Sequence, residues 1–291
     1  MIRDKSLGSR LFTFVNGTCL AIAALLCFLP FLHVFGSSFA TSAEIAAKPF
    51  LLFPSTFTWD AYRYIFSTGT VPRSMLISLV VTIGGTLWSM LFSVMTAYGL
   101  SRKDILGRRV LTFLFVFTML FSGGMIPTFL VVQATGLIDT LWALIIPGTI
   151  NVFNMIILKT FFQGLPEGLE ESAKMDGCND FGILFRIVIP CSLPAIATVS
   201  LFYGVTYWNT YMSAILYLSD SDLWPVQVWL RQIVVLASGL NYDSTIYTDA
   251  PPPAQSVKMA VIVVASLPVL IVYPFLQKYF VKGALLGSIK G

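Results

Sequence analysis

The 291-residue chain is 56% hydrophobic and only 11% charged, with a mean hydropathy of +0.82. Since soluble domains usually carry about 25% charged residues, this composition excludes an ordinary soluble enzyme and predicts an integral membrane protein. The net charge of +4 comes from basic residues dispersed over many loops, unlike the clustered basic surface of a nucleic-acid-binding protein.

Six stretches of at least nineteen residues contain no Asp, Glu, Lys or Arg. A bilayer-spanning helix needs about 20 mainly apolar residues, whereas a strand of an outer-membrane barrel has about ten alternating ones. The sequence therefore predicts an all-α membrane protein, with one transmembrane domain over residues 1–291. The six predicted spans cover about residues 12–35, 74–99, 110–132, 141–160, 190–217 and 257–279.

The basic residues predict the orientation of these spans. With the N-terminus inside, thirteen Lys and Arg residues fall in inner loops and five in outer loops. Inner loops of membrane proteins are enriched in Lys and Arg, so we expect both termini in the cytoplasm. A secretory signal is the alternative for the first span, but its apolar region would have only about 7–15 residues, and we expect an uncleaved helix.

The predicted spans carry no acidic or basic residue at mid-membrane. Charges at that depth mainly serve ion or proton movement, so a stand-alone proton- or sodium-coupled carrier is the weaker interpretation. No Gly-x-x-x-x-Gly-Lys-Ser/Thr motif is present, so we expect no nucleotide site and no enzymatic activity in this chain. Phe121-Ser-Gly-Gly-Met125 lies in an apolar span and predicts a helix end or kink. His33 has no evident partner, and we expect no metal site.

Two asparagines, Asn151 and Asn154, lie on the fourth predicted span. Polar side chains at that depth form helix–helix hydrogen bonds or contact a substrate. The sequence leaves both roles open.

Residues 163–190, hereafter the loop segment, follow the fourth span on the predicted cytoplasmic side. Pro166 suits the first position of a short helix, Gly177 a left-handed stop, and Asn179 or Asp180 the cap of a second helix. Pro190 is expected to end that second helix. The loop segment therefore predicts a helix–turn–helix at the membrane surface.

The second of these helices has an apolar face. Phe181, Leu184, Phe185 and Val188 recur at helical spacing, so they are expected to share one side. This face either rests on lipid headgroups or docks into another protein.

The order of residues in the loop segment resembles the EAA loop of permease subunits in binding-protein-dependent ABC importers. Glu171-Ser172-Ala173, Asp176-Gly177 and Ile189-Pro190 stand at that motif's spacings, with Ser172 in place of the first alanine. The resemblance implies the type I importer permease fold and a contact between this loop and a nucleotide-binding subunit. The residues expected to couple to the ATPase are Glu171, Ala173, Asp176, Gly177, Phe181, Leu184, Phe185, Ile189 and Pro190.

By this resemblance, Glu171 pairs with a basic group on the ATPase, Gly177 sets the turn, and Phe181, Leu184 and Phe185 form the buried part of the joint. Movement of the ATPase dimer would be passed to spans four and five, which is coupling through a rigid element with two states.

The chain also resembles the sugar-importer branch of these permeases. Tyr207-Trp-Asn-Thr-Tyr211, Asp222-Leu-Trp-Pro225 and the tail 277–291 are similar to members that import polysaccharide fragments. The resemblance implies a multi-pass protein of the bacterial cell membrane, forming half of a pore for an oligosaccharide. The implied partners are a second homologous permease, an ATPase dimer that binds ATP and Mg²⁺, and an extracytoplasmic solute-binding protein. A disaccharide or a peptide remains an alternative substrate.

Span five carries an aromatic stripe. Tyr203, Tyr207 and Tyr211 recur every four residues, with Trp208 and Asn209 alongside. This stripe is either a path for the sugar, which would stack on flat rings, or helix packing with an outer aromatic belt.

Two further regions have two interpretations each. The predicted outer loop 220–254 contains several aromatic residues and either docks the solute-binding protein or anchors at the membrane interface. The tail from Lys282 either reaches between the ATPase subunits, as the resemblance implies, or frays near anionic lipid.

Overall fold

The computed structural model describes residues 7–48, 50–237 and 255–288, and every regular element in these ranges is helical. The α-helices are α1 (Leu7–Ser38), α2 (Ser42–Ala47), α3 (Asp60–Ser67), α4 (Thr70–Ser101), α5 (Arg108–Leu120), α6 (Met125–Ala134), α7 (Trp142–Ile145), α8 (Val152–Gln163), α9 (Glu167–Met175), α10 (Asp180–Ile183), α11 (Ile189–Cys191), α12 (Leu193–Trp208), α13 (Met212–Tyr217), α14 (Val226–Ala237) and α15 (Gln255–Ser288). Two 3-10 helices (Ile146–Gly148 and Ser221–Leu223) and one π-helix (Leu184–Val188) join some of them.

Among these residues, three helices are long and apolar enough to cross a membrane without a break: α1, α4 and the Gln255–Pro274 part of α15. Three further pairs of helices reach that length together, but each pair is bent at a short break. The bend is 114° between α5 and α6, 52° between Trp142–Gly148 and α8, and 87° between Asp180–Cys191 and α12. If each bent pair is one span, the count reaches six, in agreement with the predicted number. The first bend lies at Phe121–Gly124, where the sequence predicted a helix end or kink.

The chain divides into two compact units. The first contains the residues up to Val71 together with Leu230–Ser266. In it, Phe39 stacks on Phe57 with ring centroids 4.6 Å apart, and the backbone amide of Thr58 donates to the Phe39 carbonyl at 2.9 Å. Hydrogen bonds from Ser55, with the nearby Lys48 ammonium, lower the pKa of Glu44 to about 2. The segment at Phe57 and Thr58 therefore packs against Phe39, which directly follows α1.

The second unit contains Pro72–Trp229 and Leu267–Gly291. Its core includes a close contact between α4 and α12, where Ser89 and Ser93 of α4 pair with Tyr207 and Tyr203 of α12, in each case with hydroxyl oxygens 2.7 Å apart. Gly85 of α4 lies under the Tyr207 ring. Small residues allow helices in membranes to approach closely, so this face of α4 fixes where α12 lies.

Gly85→Leu is expected to destabilise the protein. A Cβ atom at this position would lie 2.9 Å from the Tyr207 ring, and overpacking of this kind costs about 1–3 kcal/mol. The free energy of unfolding of the purified protein in detergent, measured by denaturant titration, tests this. Gly84→Leu is the matched control, because a Cβ atom at Gly84 has no neighbour within 4 Å. Equal stability of the two variants would contradict the prediction.

Two regions outside the predicted spans are helical. The stretch predicted as an outer loop contains the twelve-residue helix α14, whose start is held by a hydrogen bond of 2.8 Å from the Val226 amide to the Ser78 hydroxyl. Residues 238–254 of that predicted loop lie outside the described residues. The backbone of the tail continues α15 as far as Ser288.

Candidate functional site

The loop segment forms the predicted helix–turn–helix. Helix α9 ends at Met175, and Gly177 adopts a φ of +77°, which is the left-handed conformation that favours glycine. Asn179 is the cap of α10, since its side-chain oxygen accepts a 2.7 Å hydrogen bond from the Gly182 amide. The predicted stop at Gly177 is confirmed, and of the two candidate caps the structure selects Asn179.

Both prolines of the loop segment depart slightly from their predicted places. Pro166 is the residue before α9 rather than its first residue. The second helix continues past Pro190 to Cys191, so the prediction that Pro190 ends it is wrong. The π-helix before Pro190 changes the hydrogen-bond pattern, and the missing N–H of the proline is accommodated there. The helix instead ends before Ser192, whose amide donates to the Val188 and Ile189 carbonyls at 3.0 Å.

The apolar face of the second helix is divided between two directions. Leu184 is 2% exposed and Val188 is fully buried in the core of the chain, whereas Phe181 and Phe185 are 61% and 52% exposed. The prediction that these residues share one outward face is therefore wrong for Leu184 and Val188. The π-helix widens the turn at this point, so that residues four apart, rather than three apart, lie on the same side.

The other predicted coupling residues also separate into exposed and buried sets. Glu171, Asp176 and Pro190 are exposed. Ala173 is buried, and its carbonyl accepts a 2.9 Å hydrogen bond from the Cys178 amide. Ile189 is half-buried against the core. The loop segment thus presents two phenylalanines and nearby carboxylates outward while Ala173, Leu184 and Ile189 attach it to the chain.

Arg102, which follows the last residue of α4, organises the charges around the loop segment. Its Nη1 donates to Glu170 of α9 and to the Tyr98 hydroxyl, the latter at 2.8 Å. Its Nη2 lies 3.6 Å from Asp180 of α10, and its Nε lies 3.7 Å from Asp104. The Arg102 side chain is only 11% exposed. Sequence reasoning used this arginine only as an orientation signal, because no local pattern reveals partners 68 or more residues away.

A cavity of about 380 Å³ opens beside this arginine. Its walls come from the end of α4, the loop after it, and α8–α9, and they carry both charge signs. Glu171 and Lys174 line the side formed by α9. The loop segment therefore has an adjoining recess that a side chain of a partner protein can enter.

The predicted aromatic stripe on α12 is mostly buried. Tyr203 and Tyr207 are 2% and 4% exposed, and Trp208 is 4% exposed. The Tyr203 hydroxyl pairs with Ser93 and accepts a 2.8 Å hydrogen bond from the Asn151 amide. Rings enclosed within their own chain favour the helix-packing interpretation over the substrate-path interpretation for these three residues.

The remaining polar candidates are distributed differently. Asn209 is exposed and Tyr211 is half-buried, so the end of α12 is where the predicted stripe still reaches the surface. Asn151 is exposed and caps α8 by accepting a 3.1 Å hydrogen bond from the Asn154 amide. Asn154 is 5% exposed. Asn151 therefore stabilises the break before α8, and Asn154 lies within the core.

Tyr203→Phe separates packing from substrate binding. The substitution leaves the Asn151 amide and the Ser93 hydroxyl without this partner, and loss of a buried hydrogen bond costs about 1–3 kcal/mol. We expect a lower free energy of unfolding in detergent and, in the importer complex that the resemblance implies, an unchanged KM for solute uptake. Ser266→Ala, which removes a helical hydroxyl of α15, is the control for stability. A raised KM with unchanged stability would restore the substrate role.

Comparisons with known proteins give one consistent result. The family described as "Binding-protein-dependent transport system inner membrane component" matches residues 89–285. The polygalacturonan/rhamnogalacturonan transport system permease protein YtcP of Bacillus subtilis is 63% identical over 284 residues, which cover 97% of this chain and 99% of the relative. Protein LplC of the same organism is 51% identical over 282 residues, covering 97% and 96%. The crystal structure of a bacterial ABC transporter that imports the acidic polysaccharide alginate contains a similar chain, with a TM-score of 0.86, 34% identity, and coverage of 95% and 99%.

Proposed function

The chain belongs to the family of binding-protein-dependent transport system inner membrane components, and from that premise we propose that it forms half of the pore of an ATP-driven importer for acidic oligosaccharides. Its family membership confirms the resemblance seen in the loop segment. Members of this family are membrane-spanning permease subunits and not enzymes themselves. We place the hydrolysis of ATP, with its Mg²⁺, in a separate partner subunit.

The observation that carries this proposal is the outward pair of phenylalanines on the loop segment. Phe181 and Phe185 are more than half exposed on a helix whose opposite side, at Leu184 and Val188, is anchored in the core. An exposed apolar surface bordered by charges is typical of a protein–protein contact. A cleft on the ATPase that accepts these two rings would hold the loop segment, and Glu171 would pair with a basic group there.

The same anchoring supplies the mechanism. Leu184 and Val188 share one core with Met155 and Leu158 of α8 and with Val199 of α12. Packed cores move as rigid bodies rather than deform continuously. When the ATPase dimer closes, the loop segment would therefore carry α8 and α12 with it, and the pore would open to the outside.

The names of the relatives indicate the substrate. One is a permease for polygalacturonan and rhamnogalacturonan, and the structural neighbour imports alginate, an acidic polysaccharide. These polymers carry carboxylates on their sugar rings, so a uronate-bearing oligosaccharide is the substrate class that we assign. An extracytoplasmic solute-binding protein would deliver it, and a second homologous permease would complete the pore.

The bias of basic residues towards one side, thirteen against five, supports an orientation with both termini in the cytoplasm. The membrane would be the bacterial cell membrane. The loop segment and the ATPase then lie on the same side of the membrane.

Reconstitution tests the proposal. The chain, its second permease and the ATPase would be placed in proteoliposomes with the solute-binding protein and a labelled oligogalacturonate. We expect uptake that needs ATP and the binding protein, and that a neutral oligosaccharide does not compete for. Uptake by this chain alone, without a nucleotide-hydrolysing partner, would overturn the proposal. Competition by a neutral disaccharide or a peptide would overturn the substrate class only.

A further inference from the structure

Arg102 connects the end of α4 to two consecutive helices of the loop segment, the nearer contact being 68 residues further along the chain. It continues from α4 and contacts Glu170 on α9 and Asp180 on α10. The turn at Gly177 separates those two helices, so one guanidinium holds both sides of the turn. Arg108 adds to this junction by donating to the Ser101 and Arg102 carbonyls at 3.3 and 3.1 Å, which closes the end of α4.

The contact of Arg102 with Glu170 is better shielded from water than an ordinary surface ion pair, whereas Asp180 and Asp104 are 71% and 68% exposed. Exposed pairs contribute little, because water screens them. The Arg102 side chain is 11% exposed and Glu170 is 26% exposed. The guanidinium carbon also lies 5.3 Å from the centre of the Tyr98 ring, a geometry that favours a cation over an aromatic face. Removing Arg102 would take away the cation that Glu170 and Asp180 share.

A lysine could not replace this arrangement. Nη1 of Arg102 donates to both Glu170 and the Tyr98 hydroxyl, while Nη2 and Nε lie 3.6 and 3.7 Å from the exposed carboxylates of Asp180 and Asp104. A planar guanidinium has donors fixed in such a fork, whereas an ammonium is a single point of charge. The geometry therefore requires the shape of arginine as well as its charge.

Further back along α4, Ser89 and Ser93 pair with Tyr207 and Tyr203 of α12. Helix α4 is thus attached to α12 along its length and to the loop segment at its C-terminal end. Only α8 and α12 adjoin the loop segment along the chain, so the link to α4 depends on side-chain contacts.

We propose that Arg102 is a positioning residue that ties α4 to the loop segment, so that the second span moves together with that segment when the ATPase closes. The inference rests on the proposed function for what drives the movement. The contact between Arg102 and Glu170, which fixes the position of α9 relative to α4, lies within this chain and does not depend on the proposed function.

The experiment uses the full transporter complex with spin labels on α4 and α9. Cysteines replace the exposed residues Met95 on α4 and Met175 on α9, in a background without the four native cysteines. Double electron–electron resonance then measures the distribution of distances between the two spin labels. Uptake and ATP hydrolysis are measured on the same samples. The variants are Arg102→Ala, Arg102→Lys and the exchange of Arg102→Glu with Glu170→Arg. Arg109→Ala, which removes an exposed basic residue near the start of α5, is the matched control.

We expect a single narrow distance in the parent and in Arg109→Ala, and a broadened distribution in Arg102→Ala and Arg102→Lys. Uptake per ATP hydrolysed should fall about tenfold or more in Arg102→Ala, with basal hydrolysis retained. The exchange variant should narrow the distribution again and recover part of the uptake. A role in stability alone would lower the amount of complex without broadening the distance in the complex that assembles.

An unchanged narrow distance and coupled uptake in Arg102→Ala would overturn the inference. If that variant does not assemble, Glu170→Gln and Asp180→Asn each remove one contact, and parent-like distances in both would overturn it equally. If the parent complex shows no ATP-dependent uptake, the proposed function fails, while the distance between α4 and α9 still decides the role of Arg102.

Discussion

Replacing Gly177 with valine is expected to uncouple ATP hydrolysis from solute uptake. Gly177 has a φ of +77°, and a residue with a side chain loses about 1–2 kcal/mol in that conformation, more so when it is β-branched. A Cβ atom here has no neighbour within 4 Å, so the strain lies in the backbone alone. The chain can relieve the strain by moving residue 177 out of the left-handed region, which turns α10 relative to α9.

Such a turn would move Phe181 and Phe185 away from the position where the ATPase receives them. We expect uptake to fall about tenfold or more, while the reconstituted complex still hydrolyses ATP. The measurement is the number of solute molecules taken up per ATP hydrolysed in proteoliposomes.

Two glycines provide controls for this prediction. Gly168→Val introduces the same side chain on α9, also with no neighbour within 4 Å but without a positive φ, and should leave coupling intact. Gly69→Val introduces it at a φ of +73° outside the loop segment, so it should cost similar stability without uncoupling. A Gly177→Val complex that transports with the parent stoichiometry would refute the role of this turn.

The parts of the site that the sequence predicted correctly depend on local physics. A glycine after a short helix predicts a left-handed stop, and an asparagine two residues later can accept a hydrogen bond from the next helix. Both signals act within a few residues, and both appear in the structure at Gly177 and Asn179. The six spans are also predictable from local sequence, because the thickness of the bilayer sets the length of each apolar stretch.

The parts that the sequence did not predict depend on contacts between distant segments. Hydropathy does not distinguish a straight span from a bent pair, so it did not predict the 52° bend within the fourth span, before α8. Helical spacing assigned Leu184 to the same face as Phe181, but the π-helix at Leu184–Val188 separates them. The aromatic stripe on α12 is a real periodicity, and Ser89 and Ser93 of α4 decide that its first two rings are buried.

Replacing both Phe181 and Phe185 with serine is expected to release the ATPase from the permease. Each ring is more than half exposed in the chain, so little of its apolar surface is used to stabilise this subunit. Burying a phenylalanine side chain contributes about 1.5–3 kcal/mol. Losing two such contributions should raise the dissociation constant for the ATPase at least about 100-fold, as measured by titrating the ATPase onto permease held in lipid nanodiscs.

The stability of the permease itself separates this outcome from misfolding. Because Leu184 and Val188 keep the loop segment anchored in the core, the double variant should retain the melting temperature of the parent in detergent. Leu106→Ser is the matched control, since Leu106 is 96% exposed on the neighbouring α4–α5 loop but lies outside the loop segment. Unchanged ATPase affinity in the double variant, or an equal loss in Leu106→Ser, would show that the contact is not built on these two rings.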